Sequence, residues 1–233
     1  VKWGDGSTDN PRTDTNVAGD IIVAAEFAIP FYCGAETVSY NETTYNTVAI
    51  GEQCWFKENL KTTKYSDGTD ILNATSSEDW QNNITGAYAW FANNQAVYEP
   101  YGALYNWYAV NNSSGLCPTG WHVPTGDEWL ELVRYVTGDL SCNPSFGCSP
   151  AGTYLKASST DPIPNWDGTN IFGFFALPAG YRVNGEFYNV TTNAFFWSST
   201  TNISYGTGSA DSNFTRSFVS SSANGYSVRC LKD

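Results

Sequence analysis

CPTGWHVPTGDEWLELVRYVTG, residues 117–138, holds the one strong helix signal in the chain. Thr125 is a helix-capping residue, and Glu128 three positions on completes a capping box. Trp129, Leu132, Val133 and Val136 follow at i, i+3, i+4 and i+7, which lays a single apolar stripe along a helix. Gly138 supplies the left-handed stop. Outside this stretch the apolar residues come in short aromatic runs broken by turns. TVSYNETTYNTVAI (37–50) predicts a hairpin, Asp67-Gly68 marks a further turn, and a shorter helical turn is expected over Ser77 to Trp80. One or two helices among many short strands is an α+β architecture with long loops.

The composition fits that reading. Among 233 residues there are 9 Trp, 15 Tyr and 13 Phe, ample packing material for a core, with 21 Gly and 10 Pro to shape loops. Net charge is -12, from 11 basic against 23 acidic residues, and no basic cluster offsets it. A phosphate backbone would be repelled, so nucleic acid is excluded as a partner. The longest apolar run, IIVAAEFAIPFY (21–32), is too short for a membrane span and contains Glu26 and Pro30.

That run carries a different signal. Residues 1–19 are polar and read as a leader with no core of its own. From 21 to 31 every odd position is apolar (Ile21, Val23, Ala25, Phe27, Ile29 and Phe31), the period of a strand with one buried face. Two readings stay open. The run is the first strand of its own sheet, or it is a strand donated to a neighbouring copy, with the odd side chains filling that copy's groove. The division expected is an extended arm over 1–32 and a domain over 33–233.

Six cysteines, at 33, 54, 117, 142, 148 and 230, are even in number, and the chain has a single histidine. Clustered Cys/His spacing for a metal is lacking, so disulfides and an oxidising compartment are expected. The residues alone leave 15 pairings open. The sequence starts at Val1 and contains no Met, which reads as a chain whose N-terminal export signal has been removed.

Several stretches resemble the Fibrobacter succinogenes major paralogous domain, a family of secreted bacterial proteins. They are GEQCWFKENLKTT (51–63), YGALYNWYAV (101–110), CPTGWHVPT (117–125), FALPAGYR (175–182), FWSST (196–200) and SVRC (227–230), in the family's order and spanning roughly residues 35–233. The resemblance implies a C-type-lectin-like fold, distantly related to sulfatase-modifying factor domains, with neighbouring chain ends and ligand sites on long loops. It also implies the pairing: Cys117 with Cys230 as the core bridge, Cys33 with Cys54 at the arm's exit, and Cys142 with Cys148 around a small loop. The longest of these should contribute on the order of 4 kcal/mol by loop entropy.

Little in the chain suggests catalysis. His122 sits inside a structural block with no nucleophile elbow beside it. The reactive cysteines of sulfatase-modifying enzymes are not carried over, since bridges account for all six thiols. Asp127, Glu128 and Glu131, and Glu78 with Asp79, read as helix caps and solvated faces. The lectin calcium tripeptides are not matched by Glu99-Pro100-Tyr101 or Asn165-Trp166-Asp167, so no cofactor is expected; a structural calcium bound by oxygen ligands is the one cation left open. Trp166, Tyr188 and Tyr205 are the loop aromatics on which a sugar would stack. Asn-X-Ser/Thr triplets at Asn41, Asn73, Asn83, Asn111, Asn112, Asn189, Asn202 and Asn213 are glycosylation candidates. The functional expectation is a secreted, extracellular structural protein that self-assembles, as a fibre or surface layer, through head-to-tail donation of its arm to copies of itself. The alternative is a surface adhesion module that binds glycans.

Overall fold

The computed structural model describes residues 31–162 and 164–233, and within the first thirty only Lys2, Trp3, Thr8, Thr13, Thr15, Gly19, Ala25 and Glu26. The chain divides into two compact units, residues 1–32 and 33–233. In the first, Lys2–Trp3 pairs antiparallel with Ala25–Glu26, in the register Lys2 with Glu26 and Trp3 with Ala25. Of the run proposed for donation, Ile21, Val23, Phe27 and Ile29 lie outside the described residues.

The second unit is α+β and mostly strands. Thr37–Tyr40 and Thr43–Ile50 form the expected hairpin. Its tip residues, Asn41 (φ 44°) and Glu42 (φ 65°), are both left-handed, the geometry whose twist matches two flanking strands. Gln53–Phe56 continues the meander, and Leu231–Lys232 then inserts between it and Trp121–His122. Leu231 pairs with Trp55 on one side and His122 on the other, so the last strand lies inside a five-stranded sheet. A second sheet of nine strands runs from Thr215–Phe218 at one edge to Leu72–Asn73 at the other.

Alternation along single strands divides the core in two. Trp55 joins one buried cluster and its neighbour Phe56 the other, because successive side chains leave a strand on opposite faces. Phe196 and Trp197 repeat the division. The Trp55 cluster receives the helix Gly126–Thr137, whose Trp129, Leu132, Val133 and Val136 are all buried. Its capping box is formed as the sequence predicts, and Gly138 (φ 67°) ends it. The second expected helix is Ser77–Asn82, capped by Ser76.

Three more short α-helices appear among the described residues, Gln95–Tyr98, Trp107–Val110 and Ala151–Leu155. The expectation of one or two helices is corrected to five. Segments of four or five residues are a single turn, too short to show a period.

All six cysteines are bridged: Cys33–Cys54, Cys117–Cys230 and Cys142–Cys148, with Cα–Cα distances of 5.8, 5.9 and 5.7 Å. The pairing is the one that the family resemblance implies. Cys54 and Trp55 are adjacent on one strand, so the second unit's entry at Cys33 and its exit at Leu231 meet there.

Candidate interaction surfaces

His122 is held between two carboxylates. Its Nδ1 lies 2.6 Å from Asp233 Oδ1 and its Nε2 lies 2.9 Å from Glu128 Oε1. Glu128 reaches it because the capping box fixes that side chain: Glu128 Oε2 accepts from the Thr125 N–H and hydroxyl. One carboxylate thus caps the long helix and ties it to the strand Trp121–His122. Both ring nitrogens are engaged.

Among the described residues no cluster of three or more His, Cys, Asp or Glu side chains is arranged to hold a metal. The two tripeptides compared with lectin calcium ligands are committed elsewhere. Glu99 pairs with Lys61 at 2.7 Å and Asp167 with Lys156 at 2.8 Å. Burial pushes the Asp167 carboxyl up, but hydrogen bonds from the Ala210 N–H and Lys156 outweigh it and hold the group below the usual range.

Two of the three aromatic platforms read from the sequence are corrected. Trp166 is buried, donating its indole N–H to Ser209 Oγ at 2.9 Å with Lys156 Nζ 5.1 Å from its ring. Tyr205 is buried on the strand Ile203–Gly208, stacks on Trp129 at 5.5 Å and donates to the Gly126 carbonyl. Loss of water pushes its phenol up to about 12. The Asn, Gly and Ser around these rings imitate a loop, while the groups that bury them come from far along the chain. Tyr188 alone stays open, 44% exposed on Glu186–Val190 and stacked on Tyr181. Of the triplet asparagines none is buried, and Asn73, Asn111 and Asn189 are exposed.

Three buried cations escaped the sequence reading. Arg229 donates to Asn59 Oδ1 and to the carbonyls of Phe56, Phe174 and Phe175, with its guanidinium 4.6 Å from the Phe174 ring. Arg182 ties the carbonyls of Ala74, Thr75, Ser76 and Gly185, sandwiched between Trp80 and Phe187. Lys156 takes the carbonyls of Gly208 and Asp211. Desolvation lowers both arginines, Arg182 to about 10 and Arg229 to about 9, and both remain charged at neutral pH. A loop-rich fold leaves many carbonyls outside helices and sheets, and a multidentate donor satisfies several at once.

Two surface features remain. A cavity of about 350 Å³ is lined by Pro100, Pro162, Pro164, Phe175 and Leu177 together with the polar Asn46, Lys57, Glu58 and Asp161. Elsewhere, the three most exposed large apolar side chains among the described residues are Phe146 (89%), Leu140 (80%) and Phe218 (79%), and the last two each line one of three clefts that share residues. Arg134, Arg216 and Ile203 line those clefts between them.

The sequence model describing the Fibrobacter succinogenes major domain matches residues 48–232. The chain belongs to that family. No curated protein and no solved structure matches it. All six motif stretches fall within the family match, which begins at residue 48 where the resemblance had suggested 35. The buried Arg182 and Arg229, and Asn59, which accepts from Arg229, lie within the stretches that carry the resemblance and inside the match. The arm and the hairpin's first strand lie outside the family domain.

Proposed function

We propose that this protein is a non-catalytic, extracellular structural subunit that assembles head to tail, each copy donating its N-terminal segment 21–31 to the next. The observation that carries the reading is the division of the chain. All three disulfides and both large sheets belong to residues 33–233, while the period-two apolar run lies in a separate unit outside the family domain. We read the second unit as C-type-lectin-like, on the insertion of its last strand beside its first ones and the bridge that locks it there. With every thiol bridged and the sole histidine tied between carboxylates, the chain offers surfaces rather than reactive groups. Three disulfides fit an oxidising, extracellular setting. A donated strand makes a heterologous contact, which propagates unless it closes into a ring. The test is negative-stain microscopy of the purified protein. Filaments are expected from the full chain and monomers from a chain lacking residues 1–31; a truncated chain that still polymerises rules the arm out.

One observation favours a second reading, a carbohydrate-binding adhesion module. The cavity lined by prolines and Phe175 together with amide and carboxylate groups suits a sugar's mixed faces, and Tyr188 adds an open ring elsewhere. Glycan-array binding lost on Phe175→Ala or Tyr188→Ala would support it. A uniformly negative array would remove it.

A further inference from the structure

Phe175 holds a left-handed backbone conformation (φ 59°), a state that a bulky side chain rarely adopts. Two contacts keep it there. Its N–H donates to Asn170 Oδ1 at 2.9 Å, and its carbonyl accepts from Arg229 Nη2 at 2.7 Å. The residue so held lines the cavity of Pro100, Pro162 and Pro164. Strained positions that their surroundings over-determine cluster at ligand clamps. Asn170 has a second contact with the same cavity. Its Nδ2 donates to Asp161 Oδ2 at 3.0 Å, where the Ser158 N–H also arrives at 2.7 Å. One amide therefore fixes both an aromatic and a carboxylate of the lining, the kind of support that keeps a binding site in shape before its ligand arrives.

The other carboxylates are fixed as well. Glu58 accepts from the Asn46 N–H at 2.8 Å and from its side-chain amide at 2.7 Å, and Glu99 pairs with Lys61 at 2.7 Å. A carboxylate offers about four acceptor positions. Glu58 and Asp161 each fill two with the hydrogen bonds named, and Asp161 Oδ1 accepts none among the described residues. Donors are scarcer: Lys61 is spent on Glu99, and Lys57 forms no ion pair among the described residues. The lining thus sets half-used acceptors beside an apolar wall. Its three carboxylates outnumber its two ammoniums, in a chain of net charge -12. Its volume of about 350 Å³ lies near the lower end of small-ligand sites, which run from roughly 300 to 1,000 Å³.

We infer that this cavity takes an uncharged sugar and rejects anionic ones. The sugar's hydroxyls donate to Glu58 and Asp161, and its carbon-bound face lies on Phe175 and the prolines. The inference rests on the carbohydrate-binding reading above and names the ligand class of that reading's site. A uronate would bring a further carboxylate against three that are held in place, and Lys57 alone does not offset them.

The test is calorimetric titration of the full-length protein with oligomers of glucose, mannose and galactose, each beside its C6-oxidised uronate counterpart. A neutral oligomer should bind at least about tenfold more tightly than its uronate partner, and its affinity should change little with salt. Neutralising the wall with Glu58→Gln and Asp161→Asn, which keep the shape of both side chains, should raise the uronate's affinity to within about threefold of the neutral oligomer's. Misfolding would not produce such a gain. If the unaltered protein binds uronates as tightly as their neutral partners, the inference is overturned and the carbohydrate-binding reading stands. A double variant with the original preference overturns it too, because the carboxylates then do not set the choice. If no oligomer of either kind binds, the inference and the reading beneath it fall together.

Discussion

At the Cys117–Cys230 seam the chain joins residues 113 apart in sequence, and the surrounding rings of Phe56, Tyr105 and Trp197 are all buried. At the Cys142–Cys148 loop it joins residues 6 apart, and the ring between them, Phe146, stands in water. The same bond serves two ends. Across the seam it removes a large share of the unfolded chain's freedom and holds the final strand in the middle of a sheet. In the loop it removes little freedom and instead fixes the shape of an exposed corner.

The contrast breaks most decisively at the seam itself. Replacing Cys117 and Cys230 together with Ser should destabilise the protein by about 4 kcal/mol in chemical denaturation, a large share of a typical domain's stability. Next comes the buried guanidinium beside it. Arg229→Leu leaves the carbonyls of Phe56, Phe174 and Phe175 without their donor, at a cost of about 3 kcal/mol by the same measurement. The double replacement of Cys142 and Cys148 should cost less, about 2 kcal/mol, since the closed loop is short. A loss there as large as at the seam would show that the loop is a structural clamp after all. Smallest is Phe146→Ser with Phe218→Ser, which should move stability by no more than about 0.5 kcal/mol, because both side chains are already in water. A large loss of stability from that pair would mean that the rings are packed in solution and that the face is not a free surface.

The long helix and the first hairpin were far more legible than the contacts that bury the polar groups, and local signals explain why. Thr125, Glu128 and the Trp129–Val136 stripe state a helix within a dozen residues, and the 37–50 hairpin states itself in alternation. The pairing of Cys117 with Cys230 was not written in the spacing; it came from the family motifs. Trp166 and Tyr205 were misplaced because their burial depends on Ser209 and Gly126, 43 and 79 residues away. Arg182 and Arg229 were unreadable for the same reason, since their acceptors are backbone carbonyls, which no residue type announces, as far as 108 and 173 residues distant.

The position of Leu231–Lys232 has a consequence for how the molecule is made. A chain emerging N-terminus first, from a ribosome or through a secretion channel, presents the hairpin 37–50 and Gln53–Phe56 early. The strand that joins them to Trp121–His122 comes almost two hundred residues after the hairpin begins. Until residue 232 appears, the five-stranded sheet lacks its connecting member and Cys117 lacks its partner. The five-stranded sheet and its longest bridge are therefore completed only after residue 232 has emerged, however early the hairpin is made.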